Sequence, residues 1–405
     1  MPSTIGWLDT TAEQQRIARE MVALFMQQES RDELGIAQIR DVLSNWLFPG
    51  TSVLQARARY FVLVPWCYVV AERKARGRKD VDALARGIQQ DMIETMRQAY
   101  PDENGLIGKQ AGRELKGLPS SLFWSGLETF DIHLSDQHLT ARSSRDEGEE
   151  GELVERALTK WDPDLPPVPD DFPTTVENGL NMSPEEATWL SERMRAGKRK
   201  DTYLAYLLET DPAAVERAPE PWDVPHSSVY PELDHARRFS YVMHGAALLY
   251  NLIVAERYSA HPELTRYDGS TLQEEYQEQI AEWAGRRIPA NDPTQWDLET
   301  FQAEVSARNR RISHRTWTFV RGWIALVRTI GPDAIADSLD ARALVVQREK
   351  RKGPQSRLGD NVKMLESWSG ASGTGALSFR WPVIQRLVLD INNGRGTLES
   401  ARADA

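Results

Sequence analysis

Between Gly245 and Ala255 the chain is apolar on nearly every side of a helix, and this run constrains the fold more than any other. A helix that is hydrophobic all round has to be covered all round. The run is far too short for the ~20 apolar residues that cross a bilayer, so its cover must be protein. Phe239, Met243, Ala246, Ala247, Tyr250, Ile253 and Val254 recur at helical spacing on one face. The spacing predicts a helix from about Glu232 to Tyr258, buried at the centre of a helical domain.

Elsewhere the pattern is also helical. Thr10 with Glu13 reads as a capping box ahead of Ile17, Met21, Leu24 and Phe25. Further helices are expected over Asp32 to Trp46, from near Ser52 through the apolar run after Tyr60, over Val81 to Tyr100, and from Ser120 to Phe130. Ser183-Pro184-Glu185-Glu186 is a strong helix start, and Asp297 to Ala307, Ser313 to Ile330 and Pro382 to Ile391 continue the pattern. Ala376 to Trp381 is the best strand candidate. Ser143 to Asn178 is acidic and carries Pro163, Pro166, Pro167, Pro169 and Pro173, a composition too polar to order itself. Trp161 and Phe172 within it are expected to dock on a neighbouring domain, the rest being extended or mobile. The expected organisation is a mainly α protein. An N-terminal helical domain covers 1–140, an acidic Pro-rich linker 141–180, a helical domain around the long buried helix 181–345, and a basic, then Gly-rich region 346–405.

The hydrophobic share of 40% and charged share of 27% are those of an ordinary globular protein. No secretory signal is visible and no run is long enough to span a membrane, so a cytoplasmic protein without membrane contact is expected. The single cysteine, Cys67, lies in the apolar run Phe61 to Val70, which suits a buried thiol and excludes an internal disulfide. The net charge of −11 argues against nucleic acid as a partner. However, residues 141–180 hold 11 acidic and 4 basic residues, a net of −7, which leaves the remainder at only −4.

No pattern identifies a cofactor or metal site. His133 and His138, like His235 and His244, lack zinc-ligand spacing. The turn Gly370 to Gly375 precedes a candidate strand and lacks the lysine of a phosphate loop. Asp102, Glu114 and Lys116 are the weak candidates for Mg²⁺-dependent phosphodiester cleavage, with two carboxylates to hold the ion and a lysine to support the phosphate. Such groups usually sit on adjoining strands, whereas Gln110 to Lys116 reads as a helix. With Ser120, Ser121 and Trp124 on the next helix, Gly105 to Phe130 could form a helix-turn-helix or winged-helix-like unit in which Lys109, Arg113 and Lys116 hold phosphates. Arg73, Lys74, Arg76, Arg78 and Lys79 extend that nucleic-acid-binding surface. Arg193 to Lys200 and Arg348 to Arg357 could extend it as well, but each of the three clusters follows or ends a predicted helix, so a solvated helix end is the default reading of all three. Arg57 is different. It flanks the core direction set by Leu54, Ala58 and Phe61, so a structural role is expected, partly buried against a carboxylate such as Asp32 or Asp41.

Gly6-Trp7-Leu8-Asp9, Arg31 to Ile36, Phe48-Pro49-Gly50-Thr51-Ser52 and Ala56 to Phe61 are more specific than helix packing requires. With Gly105 to Gly108, Leu118 to Ser121, Pro221-Trp222 and Trp368-Ser369-Gly370, they make the chain resemble an uncharacterised bacterial family of unknown function associated with phage-defence gene islands. The resemblance implies an accessory role beside helicase or nuclease-type proteins and supplies no catalytic residues. The expectation is therefore a non-enzymatic adaptor binding a partner protein and DNA. A Mg²⁺-dependent nuclease and a protein-only scaffold are the alternatives.

Overall fold

The computed structural model describes residues 32–77, 80–134 and 160–403, and within them the protein is mainly helical. Helices α1 (Ala37–Leu47), α2 (Tyr60–Lys74), α3 (Val81–Ala99) and α4 (Pro119–Thr129) come first. They are followed by α5 (Pro184–Arg195), α6 (Tyr203–Leu207), α7 (Pro212–Arg217), α8 (Pro231–Ser259) and α9 (Gly269–Gly285). The rest are α10 (Leu298–Arg308), α11 (His314–Ile330), α12 (Leu339–Lys350), α13 (Val362–Glu366) and α14 (Trp381–Ala403). The helix expected over Thr10 to Phe25 lies outside the described residues. Contacts divide the chain into two compact units, each drawing on separated stretches of sequence.

One unit combines residues 45–227 with the segment from Arg380 onward. Its core is α2, whose residues from Tyr60 to Cys67 are all buried although Pro65 lies inside the helix. α3 and α4 pack against it. α4 comes close because Gly126 has no side chain, and a Cβ there would stand 2.5 Å from the Gly50 carbonyl and 2.7 Å from Phe61. α5 starts on the expected capping box, with Ser183 accepting from the Glu186 N–H and Glu186 reaching back to the Ser183 N–H. α14 packs along α5. Residues 160–182 are laid across this unit through specific contacts. Trp161 and Phe172 are buried, the Phe172 ring meets Trp66 edge-on, and Trp66 donates to the Pro166 carbonyl at 2.8 Å.

The other unit contains residues 32–44 and 228–379, built around α8. Twenty of its residues, from Glu232 to Tyr258, are buried, as the all-round apolar pattern demands. Two indoles are tied to successive carbonyls of this helix, Trp283 Nε1 to Tyr241 and Trp323 Nε1 to Val242, each at 2.8 Å. Asn251, fully buried, pins the Gly-rich turn. Its Nδ2 donates to the Ser372 carbonyl, and its Oδ1 accepts from Ser372 N–H and Trp368 Nε1.

Three local expectations are corrected. Ala376 to Trp381 forms no strand, because Phe379 and Arg380 take left-handed φ values of 50° and 70°, and Trp381 already opens α14. Gln110 to Lys116 is a run of turns containing one 3-10 turn, Gly112–Glu114. Gly105, Gly108 and Gly112 all have positive φ, which a continuous α-helix does not accommodate, so the first helix of the expected pair does not form. The helix expected from Asp32 begins at Ala37, because the Asp32 carboxylate accepts from Ile36 and Ala37 N–H and fixes the start beyond itself.

Candidate functional site

The charged residues fall into those consumed by the fold and those left facing solvent. Arg57 and Arg59 stand at the entrance to α2 and are consumed. The Arg57 guanidinium bonds Glu103 at 2.7 Å and Asp390 at 2.9 Å, and donates to the carbonyls of Asn104 and Leu180 and to Asn181 Oδ1. It is buried against carboxylates, but not against the ones expected. Asp32 caps α1 and Asp41 pairs with Arg40. Burial opposes the Arg57 charge, yet Asp390 and Glu103 outweigh it and hold the group above its ordinary value. Burial likewise pushes the Asp390 carboxyl up, against the pull of Arg57 and the Ala58 N–H. Gly105 permits the approach, since a Cβ there would lie 2.7 Å from Arg57 Cγ.

Arg59 is as deeply buried. It grips Glu186 through Nε and Nη2, both at 2.9 Å, and donates to the carbonyls of Glu177 and Gly179. A cavity of about 160 Å³ opens beside it, between Trp66 and residues 169–178. The sequence signal for Arg59 was its position directly before an apolar run. Nothing local named Glu186, more than 100 residues away.

The weak cleavage candidates do not converge on a buried site. Asp102 lies in the turn after α3, Glu114 ends the 3-10 turn, Lys116 follows it, and all three are exposed. Among the described residues, no group of three His, Cys, Asp or Glu side chains is arranged to hold a metal ion. Trp296 Nε1 donates to His235 Nδ1 at 2.9 Å and Glu304 lies 2.9 Å from Nε2, which gives that histidine a packing role. Burial lowers the pKa of His244. Burial also raises the Cys67 thiol, which lies 3.8 Å from Met92 Sδ.

The basic clusters separate clearly. Arg193 pairs with Asp162 at 3.3 Å, Arg195 with Glu209 at 2.8 Å and Arg199 with Asp131 at 3.0 Å, so these are tied residues and not solvated helix ends. Arg348, Lys352 and Arg357 are engaged in the α8 unit. Of the expected nucleic-acid-binding residues, Arg113 pairs with Asp91, and Lys109 Nζ donates to the Glu103 carbonyl at 3.2 Å. Arg73 and Lys74 close α2 and Arg76 follows, all exposed and none making a hydrogen bond or ion pair. Arg78 and Lys79 lie outside the described residues. The end of α2 is thus a concentrated positive charge that the fold leaves unneutralised, and it is the candidate site.

A mainly helical protein with a cationic helix end, and without a converged catalytic constellation among its described residues, is the class these observations define. The chain belongs to a family of unknown function, DUF6361, which it matches over residues 2–394. No curated protein and no solved structure matches it. Among the described residues, no helix is long and apolar enough to cross a membrane.

Proposed function

We propose that this protein is a non-enzymatic adaptor or accessory subunit of a bacterial antiphage defence complex, binding a helicase or nuclease-type partner and touching DNA through the end of α2. The observation that carries the DNA contact is the unneutralised group Arg73, Lys74 and Arg76, set against clusters elsewhere in which Arg193, Arg195, Arg199, Lys352 and Arg357 are paired with carboxylates. Phosphates are the natural counter-charge for such a group. The nuclease alternative gains nothing from Asp102, Glu114 and Lys116, which are exposed on turns.

A scaffold that binds protein alone is the second reading, favoured by the net charge of −11. Reversal of Arg73, Lys74 and Arg76 to Glu separates the two. Measured by fluorescence anisotropy at low salt, DNA affinity should fall at least tenfold in the variant, whereas equal, salt-insensitive signals would leave the scaffold reading. Affinity purification of the tagged protein from its host, with and without nuclease treatment, tests the adaptor role. A helicase or nuclease retained after digestion is the expected result. DNA degradation by the purified protein alone with Mg²⁺ would overturn it.

A further inference from the structure

In the α8 unit a short strap before α1 is held by three cations. Glu33 Oε1 takes Arg357 Nη1 at 2.5 Å, and its Oε2 takes Lys352 Nζ at 2.6 Å. Arg348 donates to the carbonyls of Leu34 at 2.7 Å and Gly35 at 2.9 Å, and lies 3.3 Å from Thr316 Oγ1. Tyr250 completes the lining, its hydroxyl accepting from Arg357 at 2.9 Å and its ring lying 5.7 Å from Lys352 Nζ.

The two carboxylates here are not equivalent. Glu349 is built into α12, is fully buried, accepts from the Arg357 backbone N–H and lies 2.5 Å from Lys352. It cannot leave without unravelling the helix. Glu33 sits on the strap, outside any helix. If the strap withdraws, Lys352 and Arg357 are left with the one carboxylate of Glu349, and buried positive charge without its counter-ion is strongly unfavourable. Arg357 Nε is already a buried donor with no acceptor. Gly35 marks the strap as a close backbone approach. Its φ is +65°, and a Cβ there would stand 2.0 Å from Arg348 Nη2.

We infer that Lys352 and Arg357, lined by Tyr250, form an oxyanion socket that the chain fills with its own Glu33 carboxylate, with Arg348 holding the strap by its carbonyls, so that an external phosphate-type anion can bind only by displacing the strap. A guanidinium, an ammonium and a phenol hydroxyl are a donor set suited to a tetrahedral oxyanion.

The test uses the full chain, inorganic phosphate as the probe, and calorimetric titration at constant ionic strength against chloride. E33Q should bind phosphate at least tenfold more tightly than the wild type, and adding R357Q should remove that gain. Should E33Q fail to fold, phosphate but not chloride should restore a cooperative melt. G35A keeps every charge, strains the strap and crowds the Arg348 guanidinium that holds it, and it too should bind phosphate more tightly than the wild type. Wild-type phosphate affinity in a folded E33Q, failure of phosphate to rescue an unfolded one, or an unchanged G35A would each overturn the socket.

Discussion

Glu220 holds a carboxyl group where its charge is poorly served. Its Oε2 is buried without a hydrogen-bond partner, and burial, with Asp223 nearby, raises its pKa from 4.5 to about 7. The folded state therefore holds this proton more tightly than the unfolded chain does. Below pH 4.5 both states are protonated and nothing is lost. Stability then falls as pH rises toward 7, and the loss is complete above it. Glu220→Gln should stabilise the protein by about 1–2 kcal/mol at pH 8, a value discounted for partial solvent exposure, and by almost nothing at pH 4. Urea unfolding at the two pH values checks the sign. Breaking a buried pair has the opposite sense. Arg57→Gln leaves Asp390 and Glu103 without their cation and should cost about 3–5 kcal/mol. Arg113→Gln, at an exposed pair, should cost under about 1 kcal/mol by the same measurement. The sequence disclosed that Arg57 would be buried, because its neighbours set the core direction. It could not disclose Asp390, since a partner 333 residues away leaves no local periodicity.

At the scale of elements, periodicity and caps located about half of the described helices, while α6, α7, α9, α12 and α13 were not expected and the helix expected from near Ser52 starts only at Tyr60. α3, α5, α8, α10 and α11 follow amphipathic or all-apolar patterns closed by turn residues. The failures have local causes. Gln110 to Lys116 looks helical, but Gly112, like Gly105 and Gly108 before it, adopts a left-handed backbone that only tertiary contacts select. The approach of α9 to α8 depends on Gly245, where a Cβ would lie 2.3 Å from Trp283. Gly245→Ala should destabilise the protein by roughly 1–3 kcal/mol through overpacking. Gly77→Ala, in open space, should be near neutral. Thermal melts of the two variants check that the cost comes from the close approach.

For the whole molecule, composition gave the class and left the site open. The net charge of −11 concealed the Arg73, Lys74 and Arg76 group, because a sum over the chain does not record which cations find carboxylates. If these three meet phosphates, log affinity should fall against log salt with a slope of about −0.9 per contact, and the charge-reversed variant should lose up to about three contacts' worth. Which stretches share a unit was likewise invisible to local patterns, because each unit closes on segments far apart in sequence. Glu186 turns that long-range closure into a kinetic property. One carboxylate both completes the first turn of α5 and neutralises Arg59. A helix end ordinarily frays, but here fraying would strand a buried guanidinium. The amides of Glu186 and Ala187 should therefore exchange with deuterium no faster than those inside α2, through opening of the entire unit rather than of one turn.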